Sequence, residues 1–213
     1  FKKNFMQKIV PCLWFNYTGK EAAELYINAF GKGKVKEVQI YPENTPGIEG
    51  KDMLVIFELF GKEIMALNGG PEFKHNPSAS LFVNLNSIDR VEEVYKKLSE
   101  EGNVLMELNE YDFSKRYAWI NDRFGVSWQL SYSEGEESIT PSLLFTQEQN
   151  GRVQEAIELY TNTFPNSKVN TISKYQDGEA DTAGNIKYSN ITLEGEDLIL
   201  MESGLEHNFN FSE

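Results

Sequence analysis

Ile9-Val-Pro-Cys-Leu-Trp-Phe15 recurs 130 residues later as Ile139-Thr-Pro-Ser-Leu-Leu-Phe145. Just downstream, Glu21-Ala-Ala-Glu-Leu-Tyr-Ile-Asn-Ala-Phe30 recurs as Glu155-Ala-Ile-Glu-Leu-Tyr-Thr-Asn-Thr-Phe164, now at an offset of 134. The four extra residues lie in the 147–152 loop. The larger offset persists, pairing Tyr41 with Tyr175, Gly50 with Gly184 and Gly61 with Gly195. Matching runs at a constant offset mark a duplicated structural unit. A fainter copy lies between them. Ala22-Ala-Glu-Leu-Tyr26 resembles Val91-Glu-Glu-Val-Tyr95, and Pro11 and Ser80 each stand fifteen residues before the tyrosine. Three related units follow, over 8–70, 79–132 and 138–204.

Each unit opens with a short apolar strand and then a helix. Ala22, Leu25, Tyr26, Ala29 and Phe30 make an i, i+3, i+4, i+7, i+8 stripe, repeated by Ala156, Leu159, Tyr160, Thr163 and Phe164. Thr18 with Glu21 fits a capping box, and Ser87 fits an N-cap for the helix bearing Val91, Val94, Tyr95 and Leu98. After each helix come β-rich runs between Pro and Gly turns: 34–41, 53–60 and 63–67, then 105–108, 116–121 and 126–132. The order βαβββ, with one helix per run of hairpin-like strands, predicts an α+β fold rather than a doubly wound parallel sheet.

Composition bounds the chemistry. The 213 residues suffice for a hydrophobic core without staples. A formal charge of −13 disfavours nucleic acid, whose phosphates need a basic patch. It also disfavours an anionic membrane surface, and no apolar run is long enough to span a bilayer. Forty per cent hydrophobic residues exclude disorder as the main state. One cysteine, Cys12, excludes an internal disulfide framework and a cysteine-based zinc site. It reads as a small buried hydrophobe. A reducing, cytoplasmic setting is the expectation, and Phe1–Gln7 shows no apolar leader.

Pro11-Cys-Leu-Trp-Phe15, Glu21-Ala-Ala with Leu25-Tyr26, Ala66-Leu-Asn-Gly-Gly-Pro71 with Phe73, and Trp119-Ile-Asn-Asp-Arg-Phe-Gly-Val-Ser-Trp-Gln129 occur in order. Together they resemble the vicinal oxygen chelate superfamily of glyoxalase I and bleomycin-resistance proteins. The closer similarity is to its PhnB-like branch, labelled 3-demethylubiquinone-9 3-methyltransferase. The resemblance implies tandem βαβββ units forming a cupped mixed sheet with helices on the outer face. It implies a complete domain over 1–132, a linker at 133–138 and the first half of a second domain over 139–213.

Strand alternation then places Cys12, Trp14 and Trp128 beneath the helices. Leu13, Phe15, Asn68, Phe82, Asn84, Trp119 and Gln129 are expected to face the cup and bind a ligand. Aromatic walls with a few amides suit a neutral or planar small molecule, or else simply fill the cup. The metal-dependent relatives imply ligands at positions that are here Pro11, Ala66, Ser80 and Gln129, with Pro141 and Leu200 as third-unit equivalents. Only Gln129 could ligate, and one neutral amide oxygen cannot hold Zn²⁺ or Ni²⁺. No metal or other cofactor is therefore expected.

His75 and His207 read as loop histidines. Glu92-Glu93, Glu100-Glu101 and 134–137 read as solvated faces and a linker. The 42–52 and 176–185 loops suit lids or plain surface hairpins. No Gly-rich strand-to-helix loop supports the methyltransferase of the label. The expected function is metal-independent small-molecule binding. The alternatives are an enzyme of the superfamily (lyase, dioxygenase or methyltransferase) and an interaction module with a filled cup. Because the third unit has no fourth to bury its apolar residues against, a homodimer through that unit, or a missing piece beyond Glu213, is expected.

Overall fold

The computed structural model describes residues 7–211. Most of the Phe1–Gln7 stretch and the final Ser212-Glu213 lie outside the described residues. Among the described residues, twelve strands and three α-helices follow the βαβββ order three times over. The first unit comprises β1 Cys12–Phe15, α1 Gly19–Phe30, β2 Gly33–Ile40, β3 Asp52–Leu59 and β4 Lys62–Asn68. The second comprises β5 Ala79–Leu85, α2 Ile88–Leu98, β6 Asn103–Tyr111, β7 Ser114–Asn121 and β8 Ser127–Tyr132. The third comprises β9 Ser138–Phe145, α3 Val153–Thr163, β10 Lys168–Lys174, β11 Ile186–Leu193 and β12 Glu196–Glu202. The α+β class and the tandem organisation are those read from the repeat.

The chain divides into two compact bodies. One holds 10–75 and 83–139. In it, β1-β4-β3-β2 form a four-stranded sheet with β1 parallel to β4. The α1 stripe buries Ala22, Ala23, Tyr26, Ala29 and Phe30 completely. Tyr26 packs on Phe57 of β3 and on Trp128 of β8, with ring centroids 6.1 and 4.8 Å apart. Gly31 ends α1 at φ 63°, a left-handed cap that a side chain would strain. The Ser87 hydroxyl accepts from Arg90 N–H at 3.2 Å and caps α2 as expected. Thr18 makes no such bond.

The other body holds 76–82 and 140–211 of the described residues. Here β10-β11-β12-β9 continue into the 79–82 half of β5. Phe145, Val153, Ile157, Ile186, Ile191, Leu193 and Leu200 form its core. The α3 stripe is rotated from expectation: Val153 and Ile157 are buried, whereas Leu159 is 62% exposed.

One expectation is corrected. β9 has a partner strand in its own chain, because Leu144 N–H donates to the Ser78 carbonyl at 2.8 Å. The argument for a homodimer through an unpaired third unit therefore falls. Among the described residues, β1 is an edge of the four-stranded sheet and β5 lies beside β9.

Candidate functional site

On β7 and β8 the register pairs Tyr117 with Ser131, Trp119 with Gln129, and Ile120 with Trp128. Trp128 lies against Phe30 of α1, centroids 5.3 Å apart, so even-numbered residues face the helices. Tyr117, Trp119, Ser127, Gln129 and Ser131 share the opposite face. Their polar atoms are matched to each other. Tyr117 Oη donates to Gln129 Oε1 at 2.7 Å, and Trp119 Nε1 donates to Ser127 Oγ at 2.9 Å. Ser131 Oγ donates to Ser114 Oγ at 3.0 Å. Burial pushes the Tyr117 hydroxyl far above the usual tyrosine range, so it stays a neutral donor.

Aromatic rings continue this face onto the β6–β7 hairpin. Tyr111 and Phe113 stack at 5.6 Å with 17° between their planes. Phe113 meets Tyr117 edge-on at 4.9 Å and is itself 63% exposed. An exposed ring stacked beside buried hydroxyl and amide groups suits a planar molecule. Tyr111, Phe113, Tyr117 and Ser127 were not singled out in the sequence. For Tyr117 and Ser127 the signal is the odd parity they share with Trp119 and Gln129 on β7 and β8; Tyr111 and Phe113 lie at the β6–β7 bend, where the register shifts.

Trp119 and Gln129 share the face opposite Trp128. On β5, Phe82 and Asn84 alternate with the buried Leu81, Val83 and Leu85. Asn84 Nδ2 donates to Ser138 Oγ at 3.5 Å. Leu13, Phe15 and Asn68 do not join them. Leu13 pairs with Ala66 and Phe15 with Asn68, and both β4 side chains lie against Gly19, the first residue of α1. Asn68 Oδ1 accepts Gly19 N–H at 2.8 Å, and its Nδ2 donates to the Asp52 carbonyl at 2.8 Å. Asn68 is thus a buried cap for α1.

Cys12 and Trp14 take the opposite face, and Cys12 is exposed rather than buried. The Trp14 indole donates to the Gly70 carbonyl at 2.8 Å. The reason is a connection length. Three residues join β1 to α1 and two join β5 to α2. Aligning the units on their helix tyrosines therefore slips the strands by one residue, which exchanges the two faces.

The metal set implied by the resemblance does not fit. Pro11 offers only its carbonyl, which accepts Met65 N–H at 2.9 Å. Ala66 has no donor and packs on α1. The Gln129 amide oxygen holds the Tyr117 hydroxyl. Among the described residues, no group of three or more His, Cys, Asp or Glu side chains is placed to hold a metal ion.

Asp122 and His75 lie on the helix side of this body, against Trp128 and Phe15. Asp122 accepts the Trp128 indole at 2.8 Å and the backbone N–H groups of Phe124 and Val126 at 2.8 and 3.1 Å. Burial raises its carboxyl above the usual range, and those donors oppose the rise. Burial also lowers His75, against the pull of Asp122. His75 packs edge-on to Phe15 at 5.4 Å. No described helix is long and apolar enough to cross a membrane.

The family described as 3-demethylubiquinone-9 3-methyltransferase matches residues 7–131 and again 137–213. A PhnB protein from Bacillus cereus, provisionally described by the same name, is 36% identical; the match covers 60% of this chain and all of that one, with a TM-score of 0.56. Glyoxalase I from Zea mays shares the fold at 13% identity, with a TM-score of 0.61 over 91% of this chain and 67% of that one. A Pseudomonas aeruginosa protein is 24% identical, covering 61% of this chain and all of its own, with a TM-score of 0.53. No curated protein matches. The chain belongs to the 3-demethylubiquinone-9 3-methyltransferase domain family, the PhnB-like branch of the vicinal oxygen chelate superfamily.

Proposed function

We propose that the protein binds a neutral, planar small molecule without a metal, on the face of β7 and β8 that carries Tyr117, Trp119 and Gln129. One observation carries the reading: the exposed Phe113 ring stacks on Tyr111 and abuts Tyr117, whose hydroxyl is held by Gln129. A flat ligand gains apolar contact from the rings, and the amide and indole groups orient it. Asn84 of β5, in the same body, extends the proposed lining. No carboxylate, thiolate or imidazole stands among these side chains, so the reading is a binder or sequestering protein in the cytoplasm rather than a hydrolase or metal-dependent lyase.

A thermal-shift screen against aromatic and quinone-like metabolites, with and without added Ni²⁺ or Zn²⁺, tests it. A ligand that binds the native state raises Tm. The shift is expected to be the same with and without metal, and to shrink in Trp119→Ala and Phe113→Ala. A shift that requires the metal defeats the reading.

A second reading has its own support. Tyr117, Trp119 and Gln129 are 3%, 9% and 4% exposed, so the inner part of this face is already covered. If no compound shifts Tm and Phe113→Ala leaves stability unchanged, the module is a filled scaffold.

A further inference from the structure

In the body that holds 140–211, three segments meet at Asp181. Asn150 comes from the 147–152 loop, Asp181 and Asn185 from the connection between β10 and β11, and Gly204 from the stretch after β12. Asp181 Oδ1 accepts from Thr182 N–H at 2.6 Å, from Asn150 Nδ2 at 3.2 Å and from Asn185 Nδ2 at 3.3 Å. A Cβ at Gly204 would lie 2.5 Å from that oxygen, so the chain passes there as glycine. The other carboxylate oxygen, Asp181 Oδ2, is buried and accepts no hydrogen bond. Nor does Asn150 Oδ1, buried on the neighbouring side chain.

A carboxylate oxygen kept from water is stable when it is hydrogen-bonded, paired with a cation or bound to a metal. Basic side chains of these segments are engaged elsewhere: Arg152 pairs with Glu155, and Lys187 with Glu179. Glu202 increases the demand. Its buried carboxylate accepts Gly151 N–H, next in sequence to Asn150, and adds a second negative charge. Two unfilled acceptors on adjacent side chains call for a cation or a water. Ca²⁺ meets carboxylate and amide oxygens at about 2.3–2.6 Å, closer than a hydrogen-bonded water at about 2.8 Å, so an ion fits where solvent does not reach.

The first unit lacks both groups. Gly47 stands 134 residues before Asp181, in a hairpin closed the same way: Gly50 N–H donates to the Tyr41 carbonyl as Gly184 N–H does to that of Tyr175. Asn150 belongs to the longer connection that only the third unit has between its first strand and its helix.

We propose that Asp181 Oδ2 and Asn150 Oδ1 hold a hard divalent cation of the Ca²⁺ type, which ties the 176–185 loop to the 147–152 loop. Mg²⁺ fits less well, because it keeps several waters in a strict octahedron, whereas Ca²⁺ accepts irregular protein oxygens. The site belongs to a different body from the proposed ligand face, so neither reading rests on the other.

Thermal unfolding of the intact protein, stripped with EDTA and then given Ca²⁺ alone, tests the site. A rise in Tm of about 3 °C at saturating Ca²⁺ is expected, with a smaller one for Mg²⁺. Asp181→Asn keeps an acceptor for the three donors and is expected to lose the Ca²⁺ response with an unchanged circular dichroism spectrum. Asp177→Asn, at an exposed position of the same loop, is expected to keep it. Asn150→Asp adds a charge beside Asp181. It is expected to lower Tm in EDTA and to enlarge the Ca²⁺ shift, a readout that stands even where Asp181→Asn does not fold. A Tm that Ca²⁺ leaves unmoved overturns the proposal and assigns the place to water. So does a shift that survives Asp181→Asn, one that Asp177→Asn abolishes equally, or one that Asn150→Asp reduces.

Discussion

The first and third units solve one capping problem with different side chains. In the first, Asn68 accepts Gly19 N–H and donates to the Asp52 carbonyl. At the repeat-equivalent place in the third, Glu202 is 2% exposed and accepts from Gly151 N–H at 2.6 Å, Val153 N–H at 3.4 Å, and Ile186 N–H. In both, a tyrosine one strand away donates to the backbone carbonyl of the capping residue: Tyr41 to Asn68, and Tyr175 to Glu202 at 3.1 Å. The shorter amide requires a closer approach. A Cβ at Gly19 would lie 2.8 Å from Asn68 Oδ1 and 3.1 Å from the Ala66 methyl group. The longer carboxylate lets valine stand at the equivalent position, 153. Duplicated units thus keep the bond pattern while the capping side chain changes from an amide to a longer carboxylate.

The comparison breaks most severely at the charged cap. Glu202→Ala leaves three backbone N–H groups without their acceptor in a buried site. A loss of about 4 kcal/mol is expected, since each unsatisfied buried donor costs about 1–3 kcal/mol. Urea unfolding measures it, and a loss no larger than that of a surface substitution would mean that water replaces the carboxylate.

Gly19→Val imports the third unit's residue into the first. Crowding against Asn68 and Ala66 is expected to cost about 3 kcal/mol, at the upper end for overpacking. Adding Asn68→Glu is expected to restore more than half of it, and a double-mutant cycle reads the coupling. If the two substitutions simply add, cap length and helix distance are independent.

Tyr117→Phe removes one hydroxyl bond to Gln129 and is expected to cost about 1 kcal/mol. In the third unit, Tyr175→Phe removes a bond to a backbone carbonyl and is expected to cost a similar amount. A Tyr117 effect on ligand-induced Tm shift without a matching Tyr175 effect assigns Tyr117 to binding.

The smallest effect concerns pH. Burial depresses His75 in the folded state, so the fold favours neutral imidazole. Its contribution is fully present above the unfolded value of about 6.5 and is lost as pH falls through the folded one. His75→Asn is expected to flatten that part of the stability profile on the acid side. An unchanged slope would assign that loss to other groups; Asp122 is not among them, because its raised carboxyl favours the fold as pH falls.

Much of the fold was legible in the residues. Strand alternation along β7 and β8 placed Trp119 and Gln129 on one face and Trp128 under the helices, because both strands belong to one hairpin with no register to guess. Leu13, Phe15 and Asn68 failed because their side was inferred from a distance to a helix tyrosine rather than from a partner strand. A single added residue between β1 and α1 reverses that inference, as the positive φ of 62° at Tyr17 in that connection illustrates. Phe113 and Tyr111 escaped notice because their stacking depends on a hairpin bend that no period reveals.

Taken alone, the sequence determined three βαβββ units, their order and the stripes of the first two helices. These rest on local periodicity. Tertiary structure decided which first strands lie side by side. β5 and β9 are neighbours and β1 is left at an edge, although all three strands are apolar. Strand pairing depends on backbone groups that every residue carries, so composition cannot distinguish one partner from another. Connection length and the direction in which each strand turns its N–H groups make that choice.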